Sequence, residues 1–181
     1  MIIVMGLPGA GKSTVLAGAL TPEITMLNWG TLMFEIAKEK FGISDRDQIR
    51  KLPVSQQKEV QAAVAERLSA ESGKVVLDTH CSIKTPKGYL PGLPFDLLSK
   101  LKVEGLVLIT AKPEEVFARR SNDPTRERSD DLTLEDVQEH DSMNRSLLAS
   151  YAALCGVPAK IIYNAQGQVE AASAQLKEIL E

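Results

Sequence analysis

The sequence has few cysteines and no long apolar run, and both shortages exclude classes of protein. Its 181 residues include two cysteines, Cys81 and Cys155, which lie far apart without metal-ligand spacing. A disulfide framework and a zinc site are therefore not expected. The expected location of the protein is a reducing compartment, the cytoplasm. No apolar stretch approaches the roughly 20 residues that span a bilayer. The apolar start, residues 1–6, lacks the basic flank and cleavage site that would predict a signal peptide.

An excess of positive charge is also missing. The formal net charge is −3, so no overall positive field exists to hold DNA, RNA or an anionic membrane. Any binding of phosphate must come from local groups of arginine, lysine and backbone amides. Hydrophobic residues at 44% and charged residues at 25% are ordinary for a globular protein, and the length suits one α/β domain over residues 1–181.

Short apolar segments alternate with amphipathic ones along the chain. The predicted strands are residues 2–5, 24–27, 75–77, 106–109 and 159–163, and the predicted helices are residues 12–20, 31–41, 55–72, 95–101, 113–120, 133–155 and 169–180. Residues 84–94, rich in glycine and proline, and the polar residues 121–131 are predicted loops. Strands separated by helices pair in parallel through right-handed crossovers, which predicts a doubly wound, five-stranded parallel sheet with helices on both faces. Ligands of such folds bind at the carboxyl ends of the strands.

A glycine-rich turn follows the first predicted strand. Residues 6–13 read G-L-P-G-A-G-K-S and match the phosphate-binding pattern G-x-x-x-x-G-K-[ST]. Glycines let successive N–H groups face phosphate oxygens, and the next helix directs its positive dipole end to the same place. The predicted ATP-binding residues of this turn are Gly6, Pro8, Gly9, Ala10, Gly11, Lys12, Ser13 and Thr14. A chance turn is the alternative, but its position between a buried strand and a helix favours phosphate binding.

Two polar residues at the end of the third predicted strand are candidates for the same site. Asp78 is predicted to hold Mg²⁺, directly or through water, together with the Ser13 hydroxyl, and Lys12 to reach the β- and γ-phosphates. The alternative for Asp78 is a helix cap or turn aspartate. His80 would either position a group or pack in the fold, and the sequence favours neither.

Arginines are concentrated in two places. Arg119, Arg120, Arg126 and Arg128 fall in and beside the polar loop, and Arg46 and Arg50 would share one face of a helix if that segment is helical. Guanidinium groups match phosphate oxygens and stabilise the charge of a transferring phosphoryl group. The alternative is a solvated loop with charge pairs, since Asp123, Glu127, Asp130 and Asp131 lie nearby.

The acceptor and the class of protein follow from chemistry. A hydroxyl acceptor needs a carboxylate base, whereas a nucleoside monophosphate offers an ionised oxygen that needs only positioning and neutralisation, which suits many arginines. Asp78 remains available as a base, so a kinase of a small hydroxyl metabolite stays open. A guanine-nucleotide switch is disfavoured because N-K-x-D occurs nowhere in the chain and D-x-x-G does not follow the third strand.

Eight segments of the chain together resemble the archaeal-type adenylate kinases. Besides the glycine-rich turn, these are residues 28–34, 45–52, 78–80, 84–94, 119–128, 143–145 and 160–164. Many families share the turn, while residues 46–52 and 84–94 are far more specific. The resemblance implies the fold of P-loop nucleoside monophosphate kinases, with reversible Mg²⁺-dependent transfer of the γ-phosphoryl group from ATP to AMP to give two ADP. Kinases of CMP, UMP or GMP remain alternatives.

The resemblance also implies roles for single residues. A monophosphate-binding region, about residues 28–72, and a short lid, about residues 121–132, would close over the substrates. The AMP-binding set would be Gly30, Thr31, Arg46, Arg50, Thr79, His80, Gly88, Tyr89 and Leu90, with residues 84–94 against the base. The catalytic set would be Lys12, Arg120, Arg126 and Arg128, and the backbone near Asn164 would contact the ATP adenine. A homotrimer is implied as well.

Overall fold

The computed structural model describes residues 1–122 and 133–181. Its strands are β1 (Ile2–Gly6), β2 (Thr25–Asn28), β3 (Val75–Thr79), β4 (Ser82–Thr85), β5 (Gly88–Pro91), β6 (Gly105–Thr110) and β7 (Ala159–Tyr163). Five of them form one parallel sheet in the order β2-β3-β1-β6-β7, and β4 and β5 form an antiparallel pair. The predicted five-stranded parallel sheet is confirmed, and its strands begin and end within two residues of the predicted ones.

Helices connect the strands of the large sheet. They are α1 (Lys12–Ala19), α2 (Trp29–Phe41), α3 (Val54–Ser69), α4 (Phe95–Leu98), α5 (Pro113–Ser121), α6 (Leu134–Cys155) and α7 (Val169–Leu180), with a 3-10 helix at Arg46–Lys51. Helix α6 begins with a capping box, in which the Thr133 and Asp136 side chains each accept from the other's backbone N–H. It ends at Gly156, whose left-handed backbone conformation suits glycine. No helix of the described segments is long and apolar enough to cross a membrane.

The three inner strands, β3, β1 and β6, are buried along almost their whole length because both faces of the sheet are covered. In β1, Ile3 and Met5 belong to the core under α2, α3, α4 and α6, whereas Val4 belongs to the core under α1 and α7. This alternation is the expected consequence of side chains that point to opposite faces in turn. The helices therefore lie on both faces, as predicted.

The register of the sheet gathers the predicted site residues at its carboxyl edge. Val4 of β1 lies opposite Asp78 of β3, and Gly6 lies opposite Ile109 of β6. On the outer side of β3, Asn28 of β2 lies opposite Asp78. The glycine-rich turn, Asp78 and the start of α2 therefore share one edge of the sheet.

Residues 84–94 are not simply a loop, and this prediction is wrong in part. Strands β4 and β5 form a hairpin in which Lys84 lies opposite Tyr89, so most of the segment is paired backbone. A two-stranded hairpin is marginal alone, and this one packs on α6, where Lys84 pairs with Asp136 at 2.8 Å. The local pattern of glycines and prolines is typical of a loop. It gives no sign of the support from α6, which comes from a distant part of the chain.

Two smaller expectations change. The segment with Arg46 and Arg50 is helical, but it is a 3-10 helix, in which residues three apart eclipse, so these arginines do not share a face. Helix α4 ends at Leu98, before the predicted residue 101, and the chain continues there in turns. Of the predicted lid, residues 121 and 122 end α5, and the remainder lies outside the described residues.

Candidate active site at the carboxyl edge of the sheet

A tight turn joins β1 to α1. Ala10 N donates to Leu7 O at 3.0 Å, and Gly9 and Gly11 have φ angles of 89° and 80°, in the left-handed region. Gly11 is the N-cap of α1, and neither a capping side chain nor an acidic residue covers the helix start. The N–H groups and positive dipole end of α1 are thus available to an anion. Ser13 and Thr14 lie exposed in this first turn.

Two of the glycines are required by close neighbours. A Cβ atom on Gly6 would lie 2.7 Å from the carbonyl oxygen of Ile109 on the adjacent strand. A Cβ atom on Gly11 would overlap the side-chain amide of Asn164. The turn is therefore held against β6 and the end of β7 at distances that only glycine permits.

Three side chains hold the backbone of the turn in place. Asn164 Nδ2 donates to Ala10 O at 2.9 Å, and Arg120 Nε donates to Pro8 O at 2.6 Å. Arg119 Nη2 donates to Asn164 O at 2.9 Å and thereby supports the first of these contacts. With its carbonyls bound from outside, the turn keeps its N–H groups directed inward.

Asn164 thus has a contact that sequence reasoning did not anticipate. Its backbone N donates to Thr110 O at 2.7 Å and its carbonyl accepts from Arg119, so both backbone groups are already bonded. The adenine contact near Asn164 stays a prediction. Arg119 belongs to the arginine cluster seen in the sequence, but its support of the turn depends on residues 45 positions away, which no local pattern shows.

Lys12 and Asp78 form an ion pair inside the site. Only 14% of the Lys12 side chain and 11% of the Asp78 side chain are exposed. Burial lowers the pKa of Lys12 from 10.5 to about 8, while the adjacent carboxylate favours the charged ammonium. The lysine predicted to bind phosphate and the aspartate predicted to bind magnesium therefore lie in contact.

A hydrogen-bonded line runs from this pair to the predicted monophosphate site. Asp78 Oδ2 accepts from Asn28 Nδ2 at 2.8 Å. Asn28 Oδ1 caps α2 by accepting from Thr31 N at 2.9 Å and also accepts from Thr31 Oγ1 at 3.1 Å. Arg46 Nη2 donates to Thr31 Oγ1 at 2.7 Å, with its guanidinium 6.0 Å from the centre of the Phe34 ring. The structure thus brings together Lys12, Asp78, Thr31 and Arg46, and it adds Asn28, which the sequence predictions had not included among the site residues.

The other predicted residues are distributed around this line. Gly30 lies exposed in the first turn of α2, Arg50 lies exposed on the 3-10 helix, Thr79 is buried at the end of β3, and His80 is exposed beside it. Gly88, Tyr89 and Leu90 belong to β5. Arg126 and Arg128 lie outside the described residues.

The hairpin is attached to α6 through a buried polar cluster. Ser82 Oγ donates to Asn144 Oδ1 at 2.5 Å and lies 3.1 Å from His140 Nε2, while Cys81 Sγ donates to the Asn144 carbonyl. The Tyr89 ring lies 5.0 Å from that of His140. Burial raises the pKa of Cys81 to about 12, so this thiol stays protonated and inert near neutral pH. His140 was not identified in the sequence analysis.

The donor set at this edge suits only one kind of metal binding. Among residues 1–122 and 133–181, no three His, Cys, Asp or Glu side chains are grouped to hold a metal ion. Mg²⁺ needs only one or two carboxylates when substrate phosphates and water complete its shell. Asp78 and the exposed hydroxyl of Ser13 fit that requirement.

A groove of about 710 Å³, between Lys74, Glu104 and Lys160, lies at the opposite edge of the sheet and contains none of the predicted site residues.

Comparison with known proteins agrees with this geometry. A protein-family model described as AAA domain matches residues 5–138, more than half of the chain. The adenylate kinase of Methanothermobacter thermautotrophicus is 41% identical over 184 residues, which cover 100% of this chain and 99% of the relative. That of Methanocaldococcus jannaschii is 41% identical over 189 residues, covering 100% and 98%. That of Pyrococcus abyssi is 39% identical over 187 residues, covering 100% and 95%.

Solved structures with a similar fold are more distant in sequence. A shikimate kinase from Acinetobacter baumannii has a TM-score of 0.58 at 16% identity and covers 99% of this chain and 91% of its own. One from Bacteroides thetaiotaomicron has a TM-score of 0.56 at 19% identity and covers 99% and 97%. These likenesses show the P-loop kinase fold, as predicted. The full-length identity to named relatives settles the family: the chain belongs to the adenylate kinase family of phosphotransferases.

Proposed function

We propose that this chain transfers the γ-phosphoryl group of ATP to AMP, reversibly and with Mg²⁺, to give two ADP. The observation that carries the proposal is a continuous line of contacts, which begins with the ion pair of Lys12 and Asp78 and continues through hydrogen bonds of Asn28 and Thr31 to Arg46. It joins a phosphate-binding turn at one end to a guanidinium at the other. Such an arrangement suits two phosphate-bearing substrates that meet between the ends. Curated relatives named adenylate kinase support AMP as the second substrate.

The turn at residues 6–13 would bind the ATP phosphates. The N–H groups at the start of α1 would donate to phosphate oxygens, and the Lys12 ammonium would leave Asp78 for the β- and γ-phosphates. Ser13 and Asp78 would hold Mg²⁺, the latter through water if the ion stays at a distance. When bound, Mg²⁺ would neutralise the negative charge of the phosphates. Thr14 and the backbone near Asn164 complete the proposed ATP site.

The region at residues 28–72 would bind AMP. Thr31 and Arg46, already in contact at 2.7 Å, would bind its phosphate, with Gly30 and Arg50 beside them. Thr79 and His80, at the end of β3, would line the same site from the sheet. The strand with Gly88, Tyr89 and Leu90 would lie against the base.

The transfer itself would be a matter of position and charge. An ionised AMP oxygen would attack the γ-phosphorus in line, so no residue needs to remove a proton. Lys12 and Arg120 would stabilise the charge spread over the transferring group, and Arg126 and Arg128 would do so from the lid. Arg120 Nε now donates to Pro8 O at 2.6 Å, so its guanidinium already borders the turn. Closure of both regions would exclude water and limit hydrolysis of ATP.

We further propose a single kinase domain over residues 1–181, working in the cytoplasm and self-associating as a homotrimer. The free state of both described cysteines supports a reducing compartment. The trimer rests on the family resemblance alone. No role with nucleic acid or membranes is proposed, given the net charge of −3.

A kinase of a small hydroxyl metabolite is the second candidate, and it requires Asp78 as a base. The structure disfavours this because Asp78 Oδ2 accepts from Asn28 Nδ2 at 2.8 Å, a bond that remains when Lys12 moves to the phosphates. A carboxylate stabilised by a hydrogen bond is a weaker proton acceptor.

An acceptor panel tests the proposal. The purified chain is incubated with Mg-ATP and, in turn, AMP, CMP, UMP, GMP, a hydroxyl acid and a sugar, and ADP formation is followed in a coupled assay. AMP should give the highest kcat/KM, and omission of Mg²⁺ should abolish turnover. A preference for another monophosphate would mean that the acceptor is not AMP, although the reaction is still phosphoryl transfer from ATP to a nucleoside monophosphate. Consumption of ATP only with a hydroxyl compound would establish the second candidate, whereas tight GTP binding without acceptor-stimulated turnover would indicate a switch protein.

A further inference from the structure

Asn28 is in contact with both halves of the proposed site. It ends β2 and caps α2, accepting from Thr31 N at 2.9 Å and from Thr31 Oγ1 at 3.1 Å through Oδ1. Through Nδ2 it donates to Asp78 Oδ2 at 2.8 Å. The residue that starts the monophosphate region therefore binds the aspartate paired with Lys12.

The partners of Asn28 fix the orientation of its amide. Thr31 N can only donate and the Asp78 carboxylate can only accept, so a rotated amide would lose both bonds. Serine and aspartate cap helices about as well as asparagine does. The side chain of Asn28 therefore does more than cap α2, because its amide N–H also donates to Asp78.

In the part of the line between Arg46 and Asp78, every donor points the same way. Arg46 donates to Thr31, Thr31 to Asn28, and Asn28 to Asp78. A chain with a cation at one end and an anion at the other polarises each bond in it, so a change at one end alters the strength of the other bonds. A phosphate that binds Arg46 and Thr31 therefore changes the strength of the hydrogen bond from Asn28 to Asp78.

We propose that Asn28 is a positioning residue that couples occupation of the AMP site to the placement of Asp78 and Lys12 at the ATP site. This inference rests on the proposed function. Its thermodynamic consequence is that Mg²⁺ with an ATP analogue and AMP favour each other's binding, to the same degree in both directions. Removing the Asn28 donor reduces this coupling even where the helix cap is preserved.

Two variants separate coupling from capping. Asn28→Ser and Asn28→Asp both keep an oxygen that can accept from Thr31 N, and neither has an amide that can donate to Asp78. The measurement is the Kd of AMP by titration calorimetry, without and with saturating Mg²⁺ and the non-hydrolysable analogue adenylyl imidodiphosphate. The coupling is the ratio of the AMP Kd without the analogue to the AMP Kd with it. This ratio is expected to fall roughly tenfold in both variants, as for the loss of a hydrogen bond to a charged group. The AMP Kd without analogue should change far less in Asn28→Ser.

Kinetic and structural controls accompany the titration. The variants should lose kcat more than they raise the KM for AMP, since the reacting groups are misplaced after binding. Thr133→Ser is the matched control, because Thr133 also caps a helix, accepting from Asp136 N at 3.1 Å, and belongs to neither proposed binding site. It should keep the wild-type ratio. Asn28→Ala removes cap and donor together and should lower the melting temperature further than Asn28→Ser.

The outcomes are distinct. Wild-type coupling and kcat in Asn28→Ser and Asn28→Asp would reduce Asn28 to a helix cap and overturn the inference. If the serine variant unfolds, the aspartate variant, nearest in shape, decides. Unfolding of both would assign the amide to stability and equally refute the coupling. Failure of the wild-type chain to make ADP from AMP is a separate result, which would remove the proposed function itself.

Discussion

The Lys12 ammonium is in contact with the Asp78 carboxylate, although the first residue begins α1 and the second lies in β3. The contact arises because β1 and β3 are paired in parallel, with Val4 opposite Asp78, and the turn after β1 folds back over the strand ends. A cation that is proposed to bind phosphate and an anion that is proposed to bind Mg²⁺ thus neutralise each other. On substrate binding, Lys12 would instead pair with the negative phosphates and Asp78 with the positive Mg²⁺.

Replacing Asp78 by asparagine tests that exchange. Asp78→Asn keeps the shape but removes the charge that would attract Mg²⁺, so the Mg²⁺ concentration at half-maximal rate should rise at least about tenfold. A magnesium titration of ADP formation at fixed ATP and AMP measures this. The control is Asp136→Asn, which removes the partner of another lysine, Lys84 at 2.8 Å, away from the turn. Equal shifts in the two variants would contradict a magnesium role for Asp78.

The pH dependence of ATP use should report on Lys12. Burial lowers its pKa to about 8, so in the free enzyme the ammonium is lost above that pH. The kcat/KM for ATP, which reflects groups of the free enzyme, should fall about tenfold per pH unit above the folded pKa. Lys12→Arg keeps the charge at high pH, so its slower reaction should lack this limb. An alkaline limb that persists unchanged in Lys12→Arg would assign it to another group.

The same shift affects stability. Between pH 8 and 10.5 the unfolded chain retains the Lys12 proton and the folded chain has lost it. Because the unfolded state then binds more protons, Lys12 alone makes the free energy of unfolding rise with pH across this window. The free energy of unfolding is measured by chemical denaturation at pH 8 and pH 10 for the wild type and Lys12→Met. From pH 8 to pH 10 this free energy should rise less, or fall more, in the variant than in the wild type.

Local sequence was sufficient to predict the glycine-rich turn and the sheet. The turn is determined by consecutive residues, since Gly9 and Gly11 supply the left-handed conformations that it needs. The strands were predictable because buried parallel strands are continuous apolar runs. The family was recognisable from segments spread through the chain.

Contacts between distant segments were not predictable in this way. The bond from Asn28 to Asp78 joins residues 50 positions apart, and it exists because β2 pairs with β3 in one register. The β4–β5 hairpin depends on α6, which begins 43 residues after the hairpin ends, as Leu134 follows Pro91. The Arg46 and Arg50 pair was misjudged because sequence does not distinguish a short 3-10 helix from an α-helix.

The support of the turn by Asn164 can be measured through stability. Asn164→Asp has the same shape but cannot donate to Ala10 O, which leaves a buried carbonyl facing a carboxylate. The expected loss is about 1–3 kcal/mol of unfolding free energy, or roughly 2–4 °C of melting temperature per kcal/mol for a chain of this size. ATP binding should weaken as well. Gln166→Glu, whose exposed side chain can still accept from Arg119, is the control and should melt like the wild type.

The fit of the turn against its neighbours can be tested at two glycines with similar backbones. Gly11 and Gly42 both have left-handed φ angles, of 80° and 65°, so alanine costs about 1–2 kcal/mol at either position through the backbone alone. At Gly42 nothing lies within 4 Å of the new Cβ, whereas at Gly11 it would overlap the Asn164 amide. Gly42→Ala should therefore be somewhat less stable and keep its kcat and ATP affinity. Gly11→Ala should displace Asn164 or the turn and lose ATP affinity by roughly 100-fold or more, because the N–H groups no longer face the phosphates. Similar ATP affinity in the two variants, measured by titration calorimetry, would mean that the contact between the turn and Asn164 does not shape the phosphate site.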